Sequence, residues 1–100
     1  MKPRVVIIGS TGKLGKKLLN YCSKKNVDIF CITGFKNNHL LKYQTKKYNI
    51  NHYFKLSDFE DIKKFKKLLH KYKINIIYFL DYGFNSLVYA EIFLKFNTNS

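Results

Sequence analysis

Apolar positions along this chain switch between short strand-like runs and helix-like stripes with regularity. Residues 4–8 form a β-branched run that reads as a buried strand. From Lys13 to Lys25, Leu14, Leu18 and Cys22 fall on one helical face. Residues 28–33 (DIFCIT) predict a second strand. Asn37 or Asn38 is placed to cap a helix running to about Tyr48, with Leu40, Leu41 and Gln44 turned inward. Residues 51–55 read as a short third strand. Ser57-Asp58-Phe59-Glu60 has the form of a capping box with Ser57 as the cap. The helix behind it carries Phe59, Ile62, Phe65, Leu69 and Tyr72 on one stripe, with its lysines on a solvated face. Residues 75–80 (NIIYFL) predict a fourth strand, and Asn85 to about Phe96 a last amphipathic helix.

This β-α-β-α-β-α-β-α alternation predicts an α/β fold, a Rossmann-like parallel sheet of about four strands with alternating helices. Such a sheet is about half of a doubly wound dinucleotide-binding domain. No Pro/Gly/Ser-rich linker interrupts the chain, so residues 1–100 read as a single domain. With so few strands, the last one is expected to present an unpaired edge or a poorly covered face. That implies a partner, either a separate catalytic polypeptide or a second copy of the chain, or else marginal stability.

Composition narrows the picture. The chain is 46% hydrophobic and 17% aromatic, which suits a packed core and is too rich for disorder. No apolar run approaches the roughly 20 residues of a membrane span. Met1-Lys2-Pro3-Arg4 leads into too short an apolar run for a secretory signal, so the expectation is a cytoplasmic protein with no membrane association. Cys22 and Cys31 have neither metal-ligand nor redox spacing and read as buried thiols. The formal net charge of +13 suggests nucleic acid as one partner class. However, the enriched residues are Lys, Asn, Ile, Phe and Tyr, which share A/T-rich codons, and Arg4 is the single arginine. Specific nucleic-acid sites lean on the bidentate arginine fork. Nucleic-acid binding is therefore disfavoured, and strong salt dependence of binding would be its mark.

The chemistry concentrates in Gly9-Ser10-Thr11-Gly12-Lys13-Leu14-Gly15, where the first strand breaks into the first helix. Gly9 permits a tight turn, Gly12 lets backbone approach a pyrophosphate, and Gly15 allows close packing of the helix. The helix N-terminus offers N–H groups and partial positive charge. Ser10 and Thr11 can add hydroxyl donors. The segment lacks the terminal Gly-Lys-Ser/Thr of a triphosphate loop, which leaves a dinucleotide as the expected ligand.

The end of the second strand indicates which dinucleotide. An NAD site places Asp or Glu there to accept from the ribose hydroxyls. Here the strand ends Thr33-Gly34-Phe35-Lys36-Asn37-Asn38, without an acid. Asp28 lies the right number of residues downstream but at the start of the strand. Lys36 and the amides of Asn37 and Asn38 would accommodate a 2′-phosphate, so the prediction is NADP(H) over NAD(H).

The Gly-Ser-Thr-Gly-x-x-Gly run resembles the start of 1-deoxy-D-xylulose 5-phosphate reductoisomerase, usually G-S-T-G-S-I-G. Phe35-Lys36-Asn37, Leu41, Gln44 and Tyr48 are similar to that family's Lys-Asn turn followed by spaced Leu, Gln and aromatic positions. Tyr82-Gly83-Phe84-Asn85-Ser86-Leu87 is similar to its S-G-F-A-G-L segment. The resemblance implies an NADPH-binding domain of an enzyme of non-mevalonate isoprenoid synthesis, which reduces and rearranges its substrate with NADPH and a divalent metal. By resemblance, Thr11, Gly12, Lys13 and Leu14 would line the pyrophosphate loop, with Gly9 and Ser10 beginning it. Gly34, Lys36 and Asn37 would hold the 2′-phosphate side. Lys13 stands where the family has Ser, and Asp81, Tyr82 and Asn85 stand where small residues are usual.

The family's metal and substrate residues have no counterparts in these 100 positions. The acids Asp28, Asp58, Glu60, Asp61, Asp81 and Glu91 have no metal spacing, and four of them fall at strand or helix starts. His39, His52 and His70 sit in unrelated polar contexts and read as surface side chains. The expectation is a chain that binds cofactor without completing the reaction. A nucleotide-sensing regulatory module, or another short NAD(P)-binding protein of the same fold, is the alternative.

Overall fold

The computed structural model describes residues 2–80. Four strands form one parallel sheet: β1 (Arg4–Ile8), β2 (Asp28–Gly34), β3 (His52–Lys55) and β4 (Ile76–Phe79). Three helices connect them: α1 (Lys13–Ser23), α2 (Asn38–Tyr48) and α3 (Phe59–Lys71). The spatial order is β3-β2-β1-β4. The chain winds outward through β2 and β3 and then returns across β1 to lay down β4. This order matches strands 3-2-1-4 of a doubly wound sheet, with the direction of winding reversing between β1 and β4. The helix expected from Asn85 to about Phe96, and the 82–87 segment, lie outside the described residues.

The sheet is buried on both faces, which is why its central strands are continuous apolar runs. One face packs Val6, Ile8, Phe30 and Cys31 against Phe65 and Leu68 of α3. The other packs Val5, Ile7, Ile29 and Ile32 against Leu19 and Cys22 of α1 and Leu41 of α2. The alternation is broken once. Val5 pairs with Ile29 but Val6 pairs with Cys31, so Phe30 is an extra residue, a β-bulge. The bulge puts Phe30 and Cys31 on the same face. It also turns the Phe30 ring into a polar-rimmed cluster, edge-on to His52 at 4.9 Å and to Tyr72 at 5.1 Å. The Arg4 guanidinium lies 5.1 Å from the Phe30 ring centre. His52 is thus a half-buried member of an aromatic cluster rather than a surface side chain.

Two inward stripes differ from the periodicity reading. On α1 the buried residues are Gly15, Leu19 and Cys22, with Leu18 partly buried, while Leu14 is 52% exposed. On α3 the buried residues are Phe65 and Leu68, and Phe59 is 66% exposed. Both outliers fall at the margin of the buried arc, turned round the helix from Leu19 and Cys22 in α1 and from Phe65 and Leu68 in α3.

Helix ends follow local chemistry. Asn37 caps α2, its Oδ1 accepting from Leu40 N at 3.1 Å. The cap of α3 is Asp58 and not Ser57. Asp58 Oδ1 accepts from Glu60 N at 3.1 Å, and Asp58 O accepts the first helical bond from Ile62 N at 3.1 Å, while Ser57 N donates to Phe35 O at 2.9 Å in the turn leaving β3. Glu60 and Asp61 in the first turn of α3 match its dipole, and Asp61 Oδ2 accepts from Lys55 N at 2.7 Å. Among the described residues, no helix is long and apolar enough to cross a membrane.

Candidate nucleotide site at the carboxyl end of the sheet

The glycine loop leaves β1 at the point where winding reverses. Ile8 O accepts from Leu80 N at 2.8 Å, so the loop starts beside the carboxyl end of β4. Gly9 has φ 93°, a backbone conformation that L side chains rarely adopt. The turn is held from the β2 side, because Gly9 N and Ser10 N both donate to Thr33 O at 2.9 Å. Gly15 then lies directly under the loop. A Cβ there would collide with Gly9 O and come within 2.6 Å of Ser10 backbone. A side chain at Gly15 would push α1 away from β1.

Gly12 is different. A Cβ added to it meets nothing closer than Gly9 O at 4.0 Å, so its surroundings are open. It is also the N-cap of α1, and no side chain caps that end. The first turn of α1 contains no acid and begins with Lys13. By contrast, α2 and α3 both carry side-chain caps. The first N–H groups of α1 lack intrahelical acceptors, and Lys13 adds a cation where the helix dipole is already positive. An anion at this end would satisfy all of these groups together. Lys13 and Leu14 are exposed and Thr11 is half-buried, so the loop presents side chains as well as backbone.

Ser10 plays another part than the hydroxyl donor to phosphate expected from the sequence. It is fully buried, and its Oγ donates to Gln44 Oε1 at 2.8 Å. Gln44 Nε2 in return donates to Ser10 O at 2.9 Å. The sequence placed Gln44 inward without identifying this contact. The available signal was an amide on the apolar stripe of α2, which burial requires to be hydrogen-bonded. The Thr33 carbonyl, which orders the turn, has no side-chain signature at all.

The corner after β2 lies against the loop. A Cβ at Gly34 would come within 2.8 Å of Thr11 Cγ2 and 3.4 Å of Leu41 Cδ2. Gly34 O accepts from Leu56 N at 2.8 Å, which fixes the corner to the end of β3. Lys36 is exposed, its ammonium 5.9 Å from the Phe35 ring centre. Asn37 is exposed and commits its side-chain oxygen to the α2 cap, leaving its amide nitrogen for any external anion. The predicted residues therefore gather around one end of the sheet, with Thr11 and Gly34 in contact and no carboxylate at the β2 terminus.

Asp28 is at the other end. It pairs in register with Arg4, and with Arg4, Lys25 and Asn75 it lines a groove of about 860 Å³ that shares no residue with the glycine loop. Cys22 and Cys31 are free and buried, and burial pushes both thiols upward, Cys31 strongly. Among the described residues, no three His, Cys, Asp or Glu are grouped to hold a metal ion.

Residues 5–91 match the family model for 1-deoxy-D-xylulose 5-phosphate reductoisomerase. Among solved structures, the chain is similar to 1-deoxy-D-xylulose 5-phosphate reductoisomerase from Zymomonas mobilis in complex with NADPH. The TM-score is 0.53 and the sequence identity 18%, over 78% of this chain and 21% of that one, so the likeness is one of fold. This chain thus spans about a fifth of the solved protein. No curated protein sequence matches.

Proposed function

The chain belongs to the 1-deoxy-D-xylulose 5-phosphate reductoisomerase family, and on that premise we propose that it is an NADPH-binding domain, part of a reductoisomerase N-terminal domain. The carrying observation is the uncapped, acid-free N-terminus of α1, open at Gly12 and placed where the sheet reverses its winding. The pyrophosphate lies on the α1 amides with Lys13 beside it, and Gly9, Ser10, Thr11 and Leu14 form the rest of the loop. Gly34, Lys36 and Asn37 take the adenosine 2′-phosphate. A β2 terminus without a carboxylate removes the group that an NAD site uses for the ribose. When bound, NADPH supplies the hydride for reduction. The residues described here bind and orient it.

The substrate and divalent metal of the reaction need residues beyond this set, supplied by the rest of the polypeptide or by a partner chain in the cytoplasm. A nucleotide sensor would also bind NADPH without turnover. An adjacent reading frame carrying the metal and substrate segments favours a divided enzyme over a sensor.

Titration of the 100-residue chain with NADPH and NADH, read by nicotinamide fluorescence, is the test. Tighter binding of NADPH is expected, with Lys36→Ala narrowing the difference between the two. Equal or tighter binding of NADH overturns the assignment. Turnover of deoxyxylulose phosphate by the isolated chain overturns the division of labour.

A further inference from the structure

We propose that Gln44 is a positioning residue that locks the glycine loop in its binding shape from the neighbouring helix. Gln44 is 3% exposed on the inner face of α2, next to Leu41 and the sheet. An apolar side chain would fill such a place without a desolvation penalty. The amide is instead satisfied at both ends by one residue. Nε2 donates to Ser10 O at 2.9 Å and Oε1 accepts from Ser10 Oγ at 2.8 Å. Ser10 N is held on the opposite side by Thr33 O at 2.9 Å. Every polar group of Ser10 is therefore engaged inside the protein, and none is left for a ligand. Residue 10 acts as the fixed anchor from which Thr11, Gly12 and Lys13 project.

The lever is α2 itself. Its N-terminus is the Asn37 cap at the Lys36 corner, and Gln44 lies two turns further along. One rigid helix thus sets the corner and grips the loop. A loop held in shape before binding loses less freedom on binding, so the grip acts on affinity. It acts on the part of the site that NADPH and NADH share, whereas Lys36 acts on the part that distinguishes them. This affinity argument rests on the NADPH-binding reading above.

The test is Gln44→Met, which keeps length and helix propensity and removes both donor and acceptor. Two quantities are read on the full chain: affinity for NADPH and NADH, and amide hydrogen exchange in the free protein. The expected result is that both cofactors weaken by a similar factor, about tenfold, with their ratio preserved. In the free protein, exchange should rise at the Gly9 and Ser10 amides and stay unchanged at Ile32. If Gln44→Met keeps wild-type affinity and exchange while the parent binds NADPH, the positioning role is overturned and the cofactor assignment stands. If the parent binds neither cofactor, the assignment fails and exchange decides alone. A rise confined to Gly9 and Ser10 supports the lock, and no change or a uniform rise overturns it. Should Gln44→Met not fold, Ser10→Ala removes the Oγ contacts to Gln44 Oε1 at 2.8 Å and Thr33 O at 3.5 Å, keeps the Gln44 Nε2 bond to Ser10 O, and should reproduce the pattern at smaller amplitude.

Discussion

Thr11 occupies the space that Gly34 leaves by having no side chain, so the glycine loop and the corner after β2 are fitted to each other. An added methyl at Gly34 would come within 2.8 Å of Thr11 Cγ2 and 3.1 Å of Thr11 Oγ1. Gly34→Ala should therefore displace Thr11 and destabilise the fold by about 1–2 kcal/mol. Adding Thr11→Ala should recover most of that loss. A double-mutant cycle from denaturant midpoints reads the coupling, and strict additivity of the two changes contradicts the fit.

Two glycines of one loop should respond in opposite ways. Gly15→Ala drives a methyl into the Gly9 and Ser10 backbone, which cannot rotate aside, and should cost about 2–3 kcal/mol of stability. Gly12→Ala enters open space and should change stability by less than about 0.5 kcal/mol. On the proposed reading, NADPH affinity should nevertheless fall at least about tenfold in Gly12→Ala, because the methyl would stand where phosphate would meet backbone. Thermal melts beside cofactor titrations separate the two, and a Gly12→Ala protein that binds normally removes the pyrophosphate from this position.

Thr33 is fully buried, and its Oγ1 has no hydrogen-bond partner. Thr33→Val keeps the shape and discards an unsatisfied hydroxyl, and it leaves untouched the carbonyl that holds Gly9 and Ser10. Stability should rise by about 1 kcal/mol. A fall in the denaturant midpoint would mean that the hydroxyl is satisfied in solution.

Burial raises both thiols, Cys31 most, so the native state holds those protons more tightly than the unfolded state. A raised folded value stabilises fully below the unfolded thiol value of about 8.5, and that contribution is lost as pH climbs toward the folded value. Stability should therefore decline above pH of about 8.5, and less steeply in Cys31→Ala. In native protein at neutral pH, both thiols should react slowly with a disulfide reagent and quickly after unfolding. Fast native labelling of Cys31 would contradict the packing of the bulged strand.

Much of the fold was legible because its signals are local. The strand over 4–8, the Asn37 cap and the glycine loop each declare themselves within a few residues. The errors also have a common physical source. Leu14 and Phe59 continue an i, i+3/i+4 spacing but fall at the margin of the arc that the neighbouring sheet covers, and only packing fixes where that arc is centred. Ser57 and Asp58 are both competent caps, and the choice follows from where the helix begins, with Ile62 N donating to Asp58 O, a one-residue register that adjacent cap residues leave open. The bulge at Phe30 leaves no mark in an apolar run. At the candidate site, the tight turn at Gly9 and the close packing at Gly15 were readable from the glycine spacing, whereas the grip of Gln44 on Ser10 required two segments 34 residues apart to be brought together.

The strand order also sets a timetable. β1 is made first and lies inside the sheet, with β2 and β4 on its two sides. On the β2 side, the Ser10–Thr33 contact closes a separation of 23 residues, and on the β4 side the Arg4–Asn75 contact closes one of 71. Loop-closure entropy alone makes the second closure about 1 kcal/mol harder. A growing or refolding chain therefore zips β1, β2 and β3 early and docks β4 late. The crevice at the carboxyl end of the sheet, proposed above to take the nucleotide, needs walls on both sides of β1 and is among the last parts of the described fold to be completed. On the proposed cofactor reading, NADPH binding should appear only once β4 has docked, which would make it a probe of that step.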